Sequence, residues 1–337
     1  MQVSYMQSLC SFNTFGVNIH ADVMCKIATC DELRKALKFA KQSAMKTLLL
    51  GGGSNVLLMG DFKGVVIMLE GFVDIDICAL GARKLVRAGA GVKWDLFVQF
   101  CTDEGLQGLE SLAGIPGTVG ASPIQNIGAY GTEMGDCLVG VEVFDIEAGR
   151  RYWLQRVALK LAYRDSLFKT RCSKLVILSV LFLLCECVVT ADVDSKIREE
   201  LGSCPEGFTL PAIASAVRRV RSRRLPQIYL HGNAGSFFVN PVVSEERMSW
   251  LRARYSHVPA FKQPDGRWRV SAGWLIQQCV VVGFRVNNVG IYEHNPLVVI
   301  NHGLATGAEI FEFGQLLSHL VAAKFHVELI REPVLVT

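Results

Sequence analysis

Residues 111–131 read SLAGIPGTVGASPIQNIGAYG, with glycine at 114, 117, 120, 128 and 131, proline at 116 and 123, and no charged side chain. A stretch this uncharged is not built for solvent, and glycines at this density let backbone N–H groups approach a bound group closely. Successive N–H groups in turn conformations form concavities that hold phosphate. The stretch therefore reads either as a cradle for a cofactor diphosphate or as a core-crossing loop whose glycines serve tight turns. Alone, it fits both.

The 337 residues are 50% apolar and 20% charged, with a net charge of +4. That length allows two or three cores, and the charge is too balanced to argue for a nucleic-acid partner. The 11 cysteines include no CxxC pair and no Cys/His spacing of a zinc site, so no metal is expected. The opening residues MQVSYMQSLC lack the basic and apolar regions of an export signal. Scattered thiols then suit a reducing, cytoplasmic location. Residues 175–189, LVILSVLFLLCECVV, are interrupted by Glu186 and are shorter than the roughly 20 apolar residues a spanning helix needs. They predict a long buried strand or strand pair, and no membrane insertion.

Outward from the opening stretch, residues 31–41 place Leu33, Ala36, Leu37 and Ala40 on one helical face. A strand at 47–50 ends at Gly51-Gly52-Gly53-Ser54-Asn55, and extended segments follow at 56–59 and 65–69. This is a second place for phosphate, though not the GxGxxG fingerprint, because no helix follows it. Residues 94–104 predict a helix with Leu96, Phe97 and Phe100 inward, and 85–91 and 139–146 predict strands.

A basic helix at 211–224 carries a stripe of Ile213, Ala216, Val217 and Val220. Arg224, four residues after Val220, continues that stripe and is the candidate anion ligand; most of arginines 218, 219, 221 and 223 are expected in solvent. Residues 231–241, HGNAGSFFVNP, form a third glycine turn whose Ser236, taken alone, reads as a turn residue. A helix at 271–279, a strand at 297–301, and a capping box from Thr306 to Glu309 come next. That box starts a helix with Ile310, Leu317, Leu320 and Val321 inside, and 327–336 predict a closing strand containing Glu332. Soft boundaries near 72 and 226 divide the chain into 1–71, 72–225 and 226–337. The residues alone give an α+β cofactor-binding protein acting on an anionic substrate, and name no reaction.

Six motifs occur in order: Asn13-Thr14-Phe15-Gly16; Leu50 to Leu57 (LGGGSNVL); Ile115-Pro116-Gly117-Thr118-Val119-Gly120; Pro123 to Gly131 (PIQNIGAYG); Tyr163-Arg164-Asp165-Ser166; and Gly232-Asn233-Ala234-Gly235-Ser236-Phe237-Phe238. Together they closely resemble UDP-N-acetylenolpyruvoylglucosamine reductases, from about residue 11 to 336. The resemblance implies an α+β fold: an FAD-binding fold of the p-cresol methylhydroxylase (PCMH) and vanillyl-alcohol-oxidase type in two subdomains, then a C-terminal substrate-binding domain whose last strand returns to the active site. It implies non-covalent FAD held by Gly51, Gly52, Gly53, Ser54, Asn55, Ile115, Pro116, Gly117, Gly120, Ser122, Gln125, Asn126, Gly128, Ala129 and Tyr130. NADPH is the implied reductant and UDP-N-acetylglucosamine enolpyruvate the implied substrate, met by Tyr163, Arg224, Asn240 and Asn295, in a monomer serving peptidoglycan precursor synthesis. Hydride would reach the terminal enolpyruvyl carbon, with Arg164 and Glu332 stabilising the enolate and Ser236 giving the proton.

Two departures from the family pattern stand out. Residues 191–223 contain no tyrosine to match the family's lid tyrosine, leaving another aromatic such as Phe208 to serve. The chain ends Leu329-Ile330-Arg331-Glu332-Pro333-Val334, with proline after the glutamate and no arginine beyond Val334, so that Arg331 is the remaining candidate for a flavin-phosphate contact. The rival readings are an FAD oxidase of the same fold and a non-enzymatic nucleotide-binding protein.

Overall fold

The computed structural model describes residues 1–171, 174–190 and 192–337. The chain divides into two compact units, one comprising Met1–Gln7, Ala21–Gly53 and Lys63–Ser222, the other Ser8–His20, Ser54–Phe62 and Arg223–Thr337. Residue 72 therefore falls inside the first unit, between its two larger sheets.

In the first unit, a four-stranded sheet runs in the order Gln2–Ser8, His20–Lys26, Phe62–Met68, Lys46–Leu49. Its last pair is parallel, with Thr47 opposite Val65 and Leu49 opposite Ile67. The helix Cys30–Gln42 starts at Thr29, whose side chain accepts the Glu32 N–H. Its buried Leu33, Ala36 and Ala40 pack on Val23, Cys25, Ile27, Val65 and Ile67.

The second sheet has Leu175–Glu186 at its centre, flanked by Leu138–Asp145 and Arg83–Gly89. This strand accounts for the apolar run at 175–189. Opposite Leu138–Asp145, Glu142 faces Ser179 and Val143 faces Ile177, so Leu178 is an extra residue that breaks the alternation. Val176 and Leu178 enter the core shared with Cys30–Gln42, while Val180, Phe182 and Leu184 enter a second core. A strand buried on both faces has no polar side to show.

The second core is covered by the helices Trp94–Asp103 and Leu210–Arg224. Trp94, Phe97 and Phe182 meet ring to ring, and Trp94 Nε1 donates to Leu112 O at 3.0 Å. The expected inward face of the first helix needs a correction. Trp94, Phe97, Val98 and Cys101 are buried, at i, i+3, i+4 and i+7, and Leu96 lies off that stripe and is 58% exposed.

Two thiols are part of this core region. Burial pushes Cys101 far up and Cys137 to about 12, the latter helped by the nearby Glu110 and Asp136 carboxylates. Thiolate is the reacting form. At pH 8 a thiol reagent should therefore label the exposed Cys10, Cys78, Cys185 and Cys204 and spare Cys101 and Cys137 until the chain unfolds, as peptide mass spectrometry would read. The linked effect on stability has a definite sign. It is absent below an unfolded thiol pKa of about 9, and stability falls as pH climbs from there toward 12, because the unfolded chain releases protons that the folded one keeps.

In the second unit, a four-stranded sheet runs Gly232–Ser236, Asn295–Asn301, Val289–Tyr292, Arg285–Val286. The helix Gly307–Phe325 starts with a full capping box between Thr306 and Glu309 and buries Ile310, Phe313, Leu317 and Val321, with Leu320 half-buried. The expected closing strand is shorter than 327–336. Only Val334–Val336 is a strand, parallel to Val56–Leu58. Arg331 makes an isolated bridge with Phe238, so Glu332 precedes the strand.

Candidate active site

In the first unit the glycine turn after Lys46–Leu49 lies directly against residues 117–118. A Cβ placed on Gly52 would stand 2.8 Å from Gly117 Cα, and one on Gly51 would stand 2.9 Å from Thr118 Oγ1. Gly52 and Gly117 meet backbone to backbone, which leaves N–H and C=O groups, with the Thr118 hydroxyl beside them, to face a ligand. Among the described residues, the N–H groups of Gly51, Gly52 and Gly53 donate to no backbone carbonyl. This donor set suits a diphosphate, which needs several fixed N–H donors and no mobile side chain.

Cationic charge comes from the Leu210–Arg224 helix, at positions the sequence reading passed over. Arg221 Nε donates to Gly114 O at 3.2 Å, and Arg218 Nε donates to Asp95 Oδ1 at 3.0 Å. Asp95 Oδ1 also accepts the Gly114 N–H at 2.6 Å, so both arginines are tied to the start of the glycine stretch. Burial holds Arg221 below the usual arginine range, while Tyr130 and Asp95 oppose that shift. Arg224, expected on the buried stripe, is exposed. The helix buries Leu210, Ile213, Ala214, Ala216 and Val217, and the row that continues from Ala214 and Val217 reaches Arg221. Counting from Ala214 as well as Ile213 would have found it.

The turn 162–165 carries Tyr163 and Arg164 at its tip and is closed by reciprocal backbone bonds between Ala162 and Asp165. Arg164 has φ +55°, a left-handed conformation that costs a side-chain-bearing residue about 1–2 kcal/mol. Its Nη2 donates to Gly128 O at 2.7 Å, and its guanidinium lies 5.2 Å from the Tyr163 ring centre. Buried Asn126 joins this turn to the glycine stretch. Its Nδ2 donates to Ala162 O and to Glu133 Oε2, and its Oδ1 accepts the Gly135 N–H. Ser166 Oγ donates to Ile124 O at 2.6 Å. Asn126 and Ser122, whose Oγ donates to Val119 O, thus have structural bonds of their own. Ile115, Gln125, Ala129 and Tyr130 are half-buried along the same stretch, and Pro116 is exposed.

In the second unit the strand Gly232–Ser236 has an irregularity between Asn233 and Ser236. Asn233 sustains it, because its Oδ1 accepts the Gly235 N–H while its Nδ2 donates to Pro226 O and His231 O. Ser236 emerges beyond the bulge. Its neighbour Phe237 accepts the Glu332 N–H at 2.9 Å, and Asn55 Nδ2 donates to Glu332 O at 3.4 Å. Ser236, Glu332 and Asn55 are therefore brought onto one connected piece of backbone. Asn240 Oδ1 accepts the Ala272 N–H, and Asn295 Oδ1 accepts the Leu297 N–H.

Of the two substitutes for missing family residues, Phe208 needs correction. Phe208 is 7% exposed and belongs to the core under Trp94–Asp103, so it is not placed to act on a lid; residue 191 of that segment lies outside the described residues. Arg331 lies 5.3 Å from the Phe311 ring and donates from Nε to Pro333 O, and burial lowers its pKa. One face of its guanidinium therefore meets the helix Gly307–Phe325 of its own unit.

Comparison with known proteins gives the site its context. The sequence model for an FAD binding domain matches residues 21–155, and that for the UDP-N-acetylenolpyruvoylglucosamine reductase C-terminal domain matches residues 227–336. The reductase of that name from Paraburkholderia phymatum is 39% identical over 335 residues, covering 96% of this chain and 94% of the relative. The one from Xanthomonas oryzae pv. oryzae is 40% identical over 337 residues, covering 98% and 95%. The chain belongs to the UDP-N-acetylenolpyruvoylglucosamine reductase family. Its members are flavin-dependent oxidoreductases, and this chain is an enzyme of that kind with an FAD binding domain. The crystal structure of the Thermus caldophilus reductase matches with a TM-score of 0.69 at 24% identity, covering 100% of this chain and 98% of that one, and shares the fold. A solvent-stable cholesterol oxidase matches with a TM-score of 0.50 at 14% identity over 97% of this chain and 86% of its own. The fold is thus α+β, an FAD-binding fold of PCMH and vanillyl-alcohol-oxidase type followed by the reductase family's C-terminal domain. No helix among the described residues is long and apolar enough to cross a membrane.

Proposed function

We propose that the protein reduces UDP-N-acetylglucosamine enolpyruvate to UDP-N-acetylmuramate with NADPH, in the cytoplasm, as a step in peptidoglycan precursor synthesis. The relatives' name supplies the substrate, and the chemistry of the residues supports it. FAD, held by Gly51–Asn55 and the 115–130 stretch with Arg221 as counter-charge, supplies the two-electron transfer between the nicotinamide and the enolpyruvyl double bond.

The chain's own groups then have three tasks. Hydride addition at the terminal carbon drives negative charge toward the α carbon and its carboxylate. Fixed donors aimed at developing charge commonly give the largest catalytic contribution. Arg164, with its guanidinium fastened to Gly128 O, fits that task, and Glu332 is proposed for the same role. The α carbon needs a proton, and Ser236 is the proposed donor. A serine hydroxyl is a weak acid, so it serves only when held at the carbon as charge develops. Tyr163, Arg224, Asn240 and Asn295 are proposed to bind the sugar nucleotide; the exposed Arg224 remains available to its phosphates.

The observation that supports this reading most is the Glu332 N–H bond to Phe237 O, which couples the proposed acid and charge-stabilising residues through one backbone contact. Anaerobic NADPH oxidation, followed with and without the enolpyruvyl nucleotide, tests it. The expected result is oxidation that depends on the nucleotide. Oxidation that instead requires dioxygen would favour an oxidase, and none with either acceptor would end the enzymatic reading.

A further inference from the structure

The left-handed tip of the 162–165 turn needs something to hold it. Glycine or asparagine normally takes the third position of such a turn when φ is positive. Here Arg164 occupies it at φ +55°. Its side chain is fastened to Gly128 O, and its own carbonyl oxygen accepts a bond from Lys169 Nζ at 2.5 Å. Lys169 sits in the short helix Leu167–Arg171, whose N-terminal side is itself anchored, since Ser166 Oγ donates to Ile124 O and accepts the Phe168 N–H. The ammonium therefore reaches back from an anchored helix to the peptide that follows the strained Cα.

We propose that Lys169 is a positioning residue for Arg164. With the side chain tied on one side of the Cα and the carbonyl on the other, the turn cannot relax to ordinary negative φ. Such a relaxation would rotate the Cα–Cβ bond and carry the guanidinium away from Gly128. A charge-assisted bond is suited to the task because it is stronger than a neutral one. Strained residues persist where surrounding contacts over-determine them, and Lys169 supplies the contact that Arg164 cannot make for itself. The inference rests on the proposed role of Arg164 in stabilising the enolate.

The test compares Lys169→Met and Lys169→Arg with the wild type, each as the FAD-loaded protein. Lys169→Met should keep its FAD and its rate of flavin reduction by NADPH. Anaerobic reoxidation by the enolpyruvyl nucleotide should slow about 10- to 100-fold, the scale for a misplacement near 1 Å. Lys169→Arg, which keeps a donor, should recover most of that loss. Reoxidation at the wild-type rate in Lys169→Met overturns the proposal, as does equal loss in both half-reactions or loss of FAD, which would mark a merely structural lysine. A crystal structure of Lys169→Met provides a readout independent of turnover: residue 164 should leave the left-handed region, and an unchanged residue 164 overturns the proposal. If the wild type is not reoxidised by the nucleotide, the substrate reading fails, and the geometry at residue 164 still decides whether Lys169 holds the turn.

Discussion

Ser236→Ala should leave flavin reduction by NADPH at the wild-type rate and slow turnover of the enolpyruvyl nucleotide by on the order of 10² to 10⁴, the range for loss of a positioned proton donor. The two half-reactions separate because they use different groups. Reducing the flavin requires no proton at the sugar nucleotide, whereas completing the reaction leaves charge on the α carbon until a proton arrives. The substitution is small, and the surrounding backbone does not depend on the hydroxyl. The bulge before Ser236 is held by the Asn233 carboxamide, and the next residue is held by the Leu297 carbonyl and the Glu332 N–H. Stopped-flow absorbance of the flavin reads both phases in one experiment. A slow reductive phase in Ser236→Ala would mean that the serine has another task.

Much of this scaffold is written in local patterns. The apolar run at 175–184 is buried or half-buried on both faces, and the centre of a sheet is where the strand Leu175–Glu186 sits; Val188 and Val189, beyond it, are exposed. The Thr306–Glu309 box announces its helix through two reciprocal bonds that need only neighbouring residues. What escapes such reading depends on partners distant in sequence. Leu96 looks like a core residue until Trp94 fixes the buried stripe by donating to Leu112 O. The 327–336 segment is apolar at both ends, but Pro333 interrupts it: Arg331 makes a single bridge with Phe238, and a continuous ladder forms only where Val334–Val336 meets Val56–Leu58. The site shows the same division. Arg164 is legible through its motif, while its left-handed φ and its bonds to Gly128 and Lys169 are tertiary facts. Arg221 was hidden because two helical rows, one from Ile213 and one from Ala214, both look apolar, and only the packing chooses between the arginines that end them.

Gly52→Ala should yield a folded protein whose affinity for FAD is lowered by about 5- to 150-fold, read as a higher dissociation constant in a flavin titration. The new methyl would stand 2.8 Å from Gly117 Cα, 3.3 Å from Gly117 N and 3.4 Å from Gly117 C. All three are backbone atoms, so no side chain can rotate away and one of the two loops has to move. Overpacking in a filled site costs about 1–3 kcal/mol. If that entire cost falls on the flavin-bound geometry, affinity falls by about 5- to 150-fold, since each 1.4 kcal/mol is a factor of ten. The fold should withstand the change better than the site does. The strands Lys46–Leu49 and Phe62–Met68 are paired upstream and downstream of the turn, and Leu50 N–H still donates to Ile67 O. Far-ultraviolet circular dichroism should therefore match the wild type while the flavin titration shows the weakened binding. Replacement of Gly16, where a Cβ would meet nothing within 4 Å, serves as the contrast, because its φ of +66° strains the backbone without filling the cradle. If Gly52→Ala binds FAD as the wild type does, the meeting of Gly52 and Gly117 is not the diphosphate cradle, and the glycine stretch at 111–131 returns to being a set of turns.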